Sequence, residues 1–288
     1  MNKSRNHIER NFYPGESWLY IKVYGGITAC DQLLVDVIYP TIISLKRTKV
    51  IVNWFFIRYY DPDFHLRIRV LLSGQEKMAK ALNAFNKRLL PMCRSHFLYR
   101  LSIDTYEREL ERYGMTTMDD TELFFDIDSH CICQLLKPLL QKGNGVERWR
   151  LAFVWVDSIL DAFRFGLNQK WGLIKKMSDA YLKEFGFNEH NIKPLAKRYR
   201  QLSITITQLM QGQSLDNASS CVIKRNLHKI KKSIKAIDVE QLNLSSLIHM
   251  SMNRLFASQN RLNELVLYYC LERYYRKEVI KRQNQDRV

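Results

Sequence analysis

The clearest pattern of apolar and polar positions runs from Trp54 to Leu71, WFFIRYYDPDFHLRIRVL. Two strand-length runs, Trp54–Tyr59 and His65–Leu71, flank a polar turn at Asp61, Pro62 and Asp63. A strand alternates at period two, so His65, Arg67 and Arg69 share one face while Leu66, Ile68 and Val70 share the other. The apolar face packs on a core. The opposite face then presents an imidazole and two guanidinium groups in a row, with Arg58 expected beside them on the neighbouring run. A solvated sheet edge guarded by basic side chains accounts for such a row. A pocket for carboxylates accounts for it too, because arginine forks bind these groups bidentately.

The remaining patterns build an α+β chain around this hairpin. WLYIKVY at Trp18–Tyr24 reads as a first strand, closed by Gly25 and Gly26. Asp31–Leu45 carries apolar residues at helical spacing, with Asp31 as its expected cap. Gln75–Leu90 reads as a second helix, and Phe97–Leu110 alternates again before Gly114 marks a turn. A helix follows over Thr121–Leu140. Strand, helix, hairpin, helix predicts a mostly antiparallel sheet with flanking helices in the N-terminal half. The glycine-containing Lys142–Gly145 is the clearest internal break. Beyond it the pattern turns helical, at Val146–Phe165, Trp171–Lys183, Asn191–Met210, Ile223–Ile237 and Leu244–Lys277, the last broken near Ala257–Gln259. The expected organisation is one domain over 1–288, with an α+β part at 1–142 and a largely helical part at 146–288.

Composition changes this picture in one respect. Hydrophobic content of 46% with 12% aromatics marks an ordered globular chain. The 45 Lys and Arg against 29 Asp and Glu, however, leave +16, which suggests an acidic partner. Ile223–Ile237 supplies much of the excess through Lys224, Arg225, Lys229, Lys231, Lys232 and Lys235, and its default reading is a solvated face. Of six cysteines only Cys131 and Cys133 lie close together, and their spacing is not that of a zinc site, so no metal is expected. Met1–Asn11 has no apolar core and no run reaches the length of a membrane span, which points to reduced thiols and a cytoplasmic address. Phosphate-loop, dinucleotide, nucleophile-elbow and zinc-protease signatures are absent. His249, in HMSMNRL, is by default a core histidine. Beside a cationic pocket, with Arg254 further along, it becomes a candidate acid or base held in its neutral form.

WLYIKVYG, WFFIRYYDPDFHLRIR, YERELERYGM, the Asp128–Ser129 pair after FFDI, HMSMNRL and the later ELVLYYCLERYY together resemble the C-terminal part of lantibiotic dehydratases, also called the thiopeptide-type bacteriocin biosynthesis domain. The resemblance covers nearly the whole chain. It departs at Met115, where the family has a second glycine. In that family one half of the enzyme moves glutamate from glutamyl-tRNA onto Ser and Thr of a precursor peptide. The half resembled here eliminates that glutamate to leave dehydroalanine or dehydrobutyrine. The resemblance implies a stand-alone elimination subunit, a lyase that needs no cofactor and works with a separate glutamylating subunit. It implies Arg67, Arg69, Arg112 and His249 as catalytic groups, and Arg108 competes with Arg112 within the same segment. Arg58, His65, Arg108 and Arg254 are the expected substrate-binding residues. The pyridine-forming cyclase of thiopeptide biosynthesis resembles the same scaffold, and a basic adaptor for tRNA or a partner subunit fits the charge. Spare apolar positions on the last helix allow a homodimer.

Overall fold

A computed structural model describes residues 8–142, 145–213, 215–234 and 242–285. Met1–Lys137 with Ala236–Ala257 forms one compact unit, and Pro138–Lys235 with Ser258–Val288 forms the other. The first unit holds all the strands among the described residues. After the short β1 (Asn11–Phe12) come β2 (Trp18–Gly25), α1 (Ile27–Leu33), one π-helical turn, and α2 (Tyr39–Arg47). The hairpin β3 (Ile51–Tyr60) and β4 (Phe64–Leu72) leads to α3 (Met78–Arg94), β5 (Leu98–Ile103), β6 (Tyr106–Glu107), the single turn α4 (Leu110–Tyr113) and α5 (Met118–Lys142). The main sheet has the order β3-β4-β2-β5 and every pairing in it is antiparallel, as the patterning predicted. The second unit contains α6 (Gly145–Ala162), α7 (Leu167–Glu184), α8 (Lys193–Met210) and α9 (Asn217–Ile234). Then α10 (Leu244–Leu255) returns to the sheet unit, and α11 (Asn260–Gln285) rejoins the helices. The predicted break near Ala257–Gln259 is therefore also where the chain passes from one unit to the other. Within the Lys142–Gly145 connector, 143–144 lie outside the described residues, as do Lys235 and Ile237 of the basic helix.

The alternation in β4 holds. Leu66, Ile68 and Val70 are fully buried, each worth roughly 1.5–3 kcal/mol of transfer free energy. Asp31 departs from expectation. The helix begins at Ile27, so Asp31 lies inside it, buried and 2.5 Å from the Arg58 guanidinium rather than capping an end. The stretch Ile27–Arg47 is also long and apolar enough, by length and composition, to cross a membrane, which the sequence reading had not found. Here it packs on the sheet, burying Cys30, Leu33, Leu34, Ile38, Ile42 and Leu45.

The free edge of β3 is closed by side chains rather than by a strand. The Trp54 N–H donates to Asp126 at 3.0 Å and the Phe56 N–H to Ser129 Oγ at 3.3 Å, both from α5. Asn253 of α10 accepts from the Arg58 N–H at 2.9 Å and donates to the Arg58 carbonyl at 3.0 Å. Arg254 donates through Nε to the Phe56 carbonyl at 2.8 Å and through Nη1 to Asp128 at 2.9 Å, and Ser251 donates to the other Asp128 oxygen at 2.6 Å. Arg254 and Asp128 are both fully buried. Breaking one side of such a pair strands a buried charge, so Arg254→Met should cost about 3–5 kcal/mol in chemical denaturation. The double change Arg254→Met with Asp128→Leu should cost less than the single one. A single-variant loss below about 1 kcal/mol would show that the pair does not hold the edge.

Candidate functional site

Residues directly opposed in an antiparallel sheet lie on the same face, so the register defines the surface around the β4 row. His65, Arg67 and Arg69 face Tyr24, Lys22 and Tyr20 on β2, and Tyr59, Ile57 and Phe55 on β3. Arg58 pairs with Leu66 and so projects from the opposite face, where Asp31 and the Arg254 carbonyl hold it. The structure therefore separates Arg58 from the row it was expected to join.

His65 is buried. Its Nδ1 lies 2.9 Å from the Asp63 carbonyl, which can only accept, so Nδ1 carries the proton and Nε2 accepts from Arg67 Nε at 3.1 Å. Burial lowers the pKa of His65 below the ordinary 6.5, partly offset by the Asp63 carbonyl and reinforced by the Arg67 charge. His65 thus acts as a neutral brace that aims Arg67. The Arg67 guanidinium stacks over the Tyr59 ring at 3.3 Å. Lys22, the other cation at this level, is ion-paired with Asp104, whose pKa is lowered chiefly by that contact and further by Arg67.

Arg69 lies among three rings, 4.6 Å from Tyr20, 4.7 Å from Tyr106 and 5.3 Å from Phe55. Its Nε is enclosed and has no hydrogen-bond partner among the described residues. Among the described residues no carboxylate forms an ion pair with Arg67 or Arg69. A buried N–H left unsatisfied costs about 1–3 kcal/mol.

The two arginines of the ERELERYG segment part company. Arg108 is buried and clamped, with Nε and Nη2 on Glu122 at 2.8 and 2.6 Å and Nη2 on Asp119 at 2.8 Å. Arg112 is partly exposed, meets Glu109 at the surface, and donates through Nε to Ser246 Oγ at 3.0 Å. Arg112, unlike Arg108, keeps part of its guanidinium at the surface. On α10, Ser246, His249 and Asn253 lie at i, i+3 and i+7 and share a face. His249 is half-buried between the Ser246 contact to Arg112 and the Asn253 contact to the Arg58 backbone. Arg254, by contrast, is fully buried, with Nε committed to the β3 edge and Nη1 to Asp128.

One residue escaped the sequence reading. Tyr113 is buried with a hydroxyl that has no partner among the described residues, and burial pushes its pKa up to about 12, so it stays a donor. It lies within electrostatic reach of Arg112, Arg254 and Arg69. Its place beside Arg112 in the YERELERYGM motif was the available signal.

The depressed pKa of His65 has a consequence for stability. The unfolded imidazole takes up a proton near 6.5 while the folded one resists, so this contribution is intact above that pH and is lost as pH falls through the folded value. An NMR titration should place the His65 midpoint below 6.5, and Arg67→Met should move it upward. A midpoint at or above 6.5 in the unmodified protein would contradict the brace.

The family model for the lantibiotic biosynthesis dehydratase C-terminal region matches residues 18–275. The subtilin biosynthesis protein SpaB of Bacillus subtilis is 25% identical over 269 residues, covering 91% of this chain and 26% of SpaB. The chain spans about a quarter of the length of the curated relatives it matches. Among solved structures, the tRNA-dependent lantibiotic dehydratase MibB from Microbispora sp. 107891 superposes with a TM-score of 0.66 at 22% identity, over 93% of this chain and 29% of MibB. The pyridine synthase TbtD from thiomuracin biosynthesis superposes at 0.63 and 14% identity, over 89% of this chain and 97% of TbtD. With the family model matched across most of its length, the chain belongs to the lantibiotic biosynthesis dehydratase C-terminal family.

Proposed function

We propose that this chain eliminates glutamate from glutamylated Ser and Thr residues of a precursor peptide, leaving dehydroalanine and dehydrobutyrine. The observation that carries the reading is Arg69, a cation held by aromatic rings with an enclosed Nε that no group among the described residues satisfies. The reaction breaks the Cα–H and Cβ–O bonds of the ester, forms the Cα=Cβ double bond, and releases glutamate as a carboxylate. It needs a proton-transfer group and fixed positive charge near the enolate and the departing carboxylate. Arg67 and Arg69 supply charge from one sheet face, and Arg112 supplies a third guanidinium beside α10. His249 is the proton-transfer group. Glutamylation itself belongs to machinery outside these 288 residues, either a partner subunit or another part of the enzyme.

The test is a chemically glutamylated Ser/Thr peptide supplied without tRNA and followed by mass. Loss of glutamic acid is the expected result. Arg69→Lys and His249→Gln should each lower kcat by roughly 10²-fold or more with melting unchanged. Conversion of an already dehydrated peptide by cyclisation, with the glutamyl ester left intact, would replace elimination by pyridine formation.

A further inference from the structure

The charge excess is not spread over the molecule. The unit built from 138–235 and 258–288 holds 25 Lys and Arg against 11 Asp and Glu, whereas the sheet unit holds 20 against 18. The helical unit therefore carries +14 of the net +16. Its acids are largely committed internally. Asp157 and Asp161 bind Lys170, Asp179 binds Lys175, and Glu184 binds Arg261.

Two helices of 18 residues each concentrate the surplus and contain no acidic residue at all. On α8, Lys193, Lys197 and Arg200 follow one another at i, i+4 and i+7 with Arg198 alongside, and all four are exposed. On α9, Lys224, His228 and Lys231 form one such row and Arg225, Lys229 and Lys232 the next, all exposed. Each row rises about 10 Å along its helix. Among the described residues no ion pair involves the α8 cations or Lys224, Lys229, Lys231 and Lys232. An ordinary solvated helix mixes signs, since like charges at i, i+4 destabilise it. Both helices pack on α6, so the basic faces are the ones turned outward.

We propose that α8 and α9 form a docking surface for the phosphate backbone of a double-helical nucleic acid. Other polyanions fit less well. A membrane-surface helix must turn its apolar residues outward, but Leu195, Ile206 and Leu209 of α8 and Ile223 and Ile230 of α9 are buried. A protein partner needs an apolar centre to its interface, and among the described residues Ile204 is the one large apolar side chain exposed on these helices. Single strands are held by stacking on aromatic platforms. The two helices carry no Phe or Trp, and their one tyrosine, Tyr199, is half-buried. Rows of Lys and Arg without stacking rings are the equipment for duplex phosphates, bound without regard to sequence. This surface is independent of the elimination reading.

Fluorescence anisotropy on the full chain tests it, with labelled RNA and DNA duplexes, a single strand of the same length, poly-L-glutamate and phosphatidylserine vesicles as probes. Duplex binding in the micromolar range at low salt is expected, weakening with a log–log salt slope of roughly −4 if about five phosphates are contacted. Lys193→Gln, Lys197→Gln and Arg200→Gln combined should weaken it about tenfold or more. Lys80→Gln with Lys87→Gln, exposed cations of the sheet unit, should leave it unchanged. No duplex binding, tighter binding of the single strand, poly-L-glutamate or vesicles, or a triple variant that folds and binds like the unmodified protein would each overturn the proposal.

Discussion

The unpaired edge of β3 is the constraint on which the sheet unit depends. A ten-residue strand at the end of a sheet leaves a row of N–H and C=O groups without partners, and here the residues from Trp54 to Arg58 are buried. No further strand is added. Asp126 and Ser129 arrive from α5, and Asn253 and Arg254 arrive from α10 after the chain has passed through the first four helices of the second unit. The hydrogen bonds that satisfy β3 also fix the position of α10, and hence of His249. The His249 imidazole and a row of arginines from distant parts of the sequence are thereby carried by one set of backbone contacts.

The arginines divide according to whether the chain provides a carboxylate. Arg58, Arg108 and Arg254 are buried against Asp31, Glu122 and Asp128, and their charge is spent on structure. Arg67 and Arg69 are oriented by an imidazole and by rings instead. Rings hold a guanidinium in place without neutralising it, which leaves its charge for a ligand. Arg112 lies between these cases, with a surface contact to Glu109 that is weakly held and a serine that sets its direction.

Much of this was legible in the sequence. The period-two alternation of β4, the turn after Tyr60, the antiparallel sheet and the break before α11 all follow from local patterning. Arg58 was misplaced because β3 is buried on both faces. Trp54, Phe55, Phe56 and Ile57 are all core residues, so the run shows no alternation from which to read a phase. Only the register across the hairpin assigns its faces. Arg108 and Arg112 looked equivalent because their difference lies in Glu122 and Ser246, which only the folded chain brings to them. The edge lock was hidden for the same reason. Asp128, Ser129, Asn253 and Arg254 were visible as motif residues, but their partner is a strand far away in sequence. The charge of α9 was visible, whereas its concentration in one unit required the division that the contacts define.

The most direct test of the account is whether the Arg69 Nε is waiting for a carboxylate. The Nε–H signal of this side chain, assigned by its loss in Arg69→Lys, can be followed by NMR as glutarate is added to the intact protein. The account predicts a saturable shift of that signal, accompanied by one from Arg67 or Arg112. A signal that stays fixed while glutarate binds elsewhere, or does not bind at all, would contradict it.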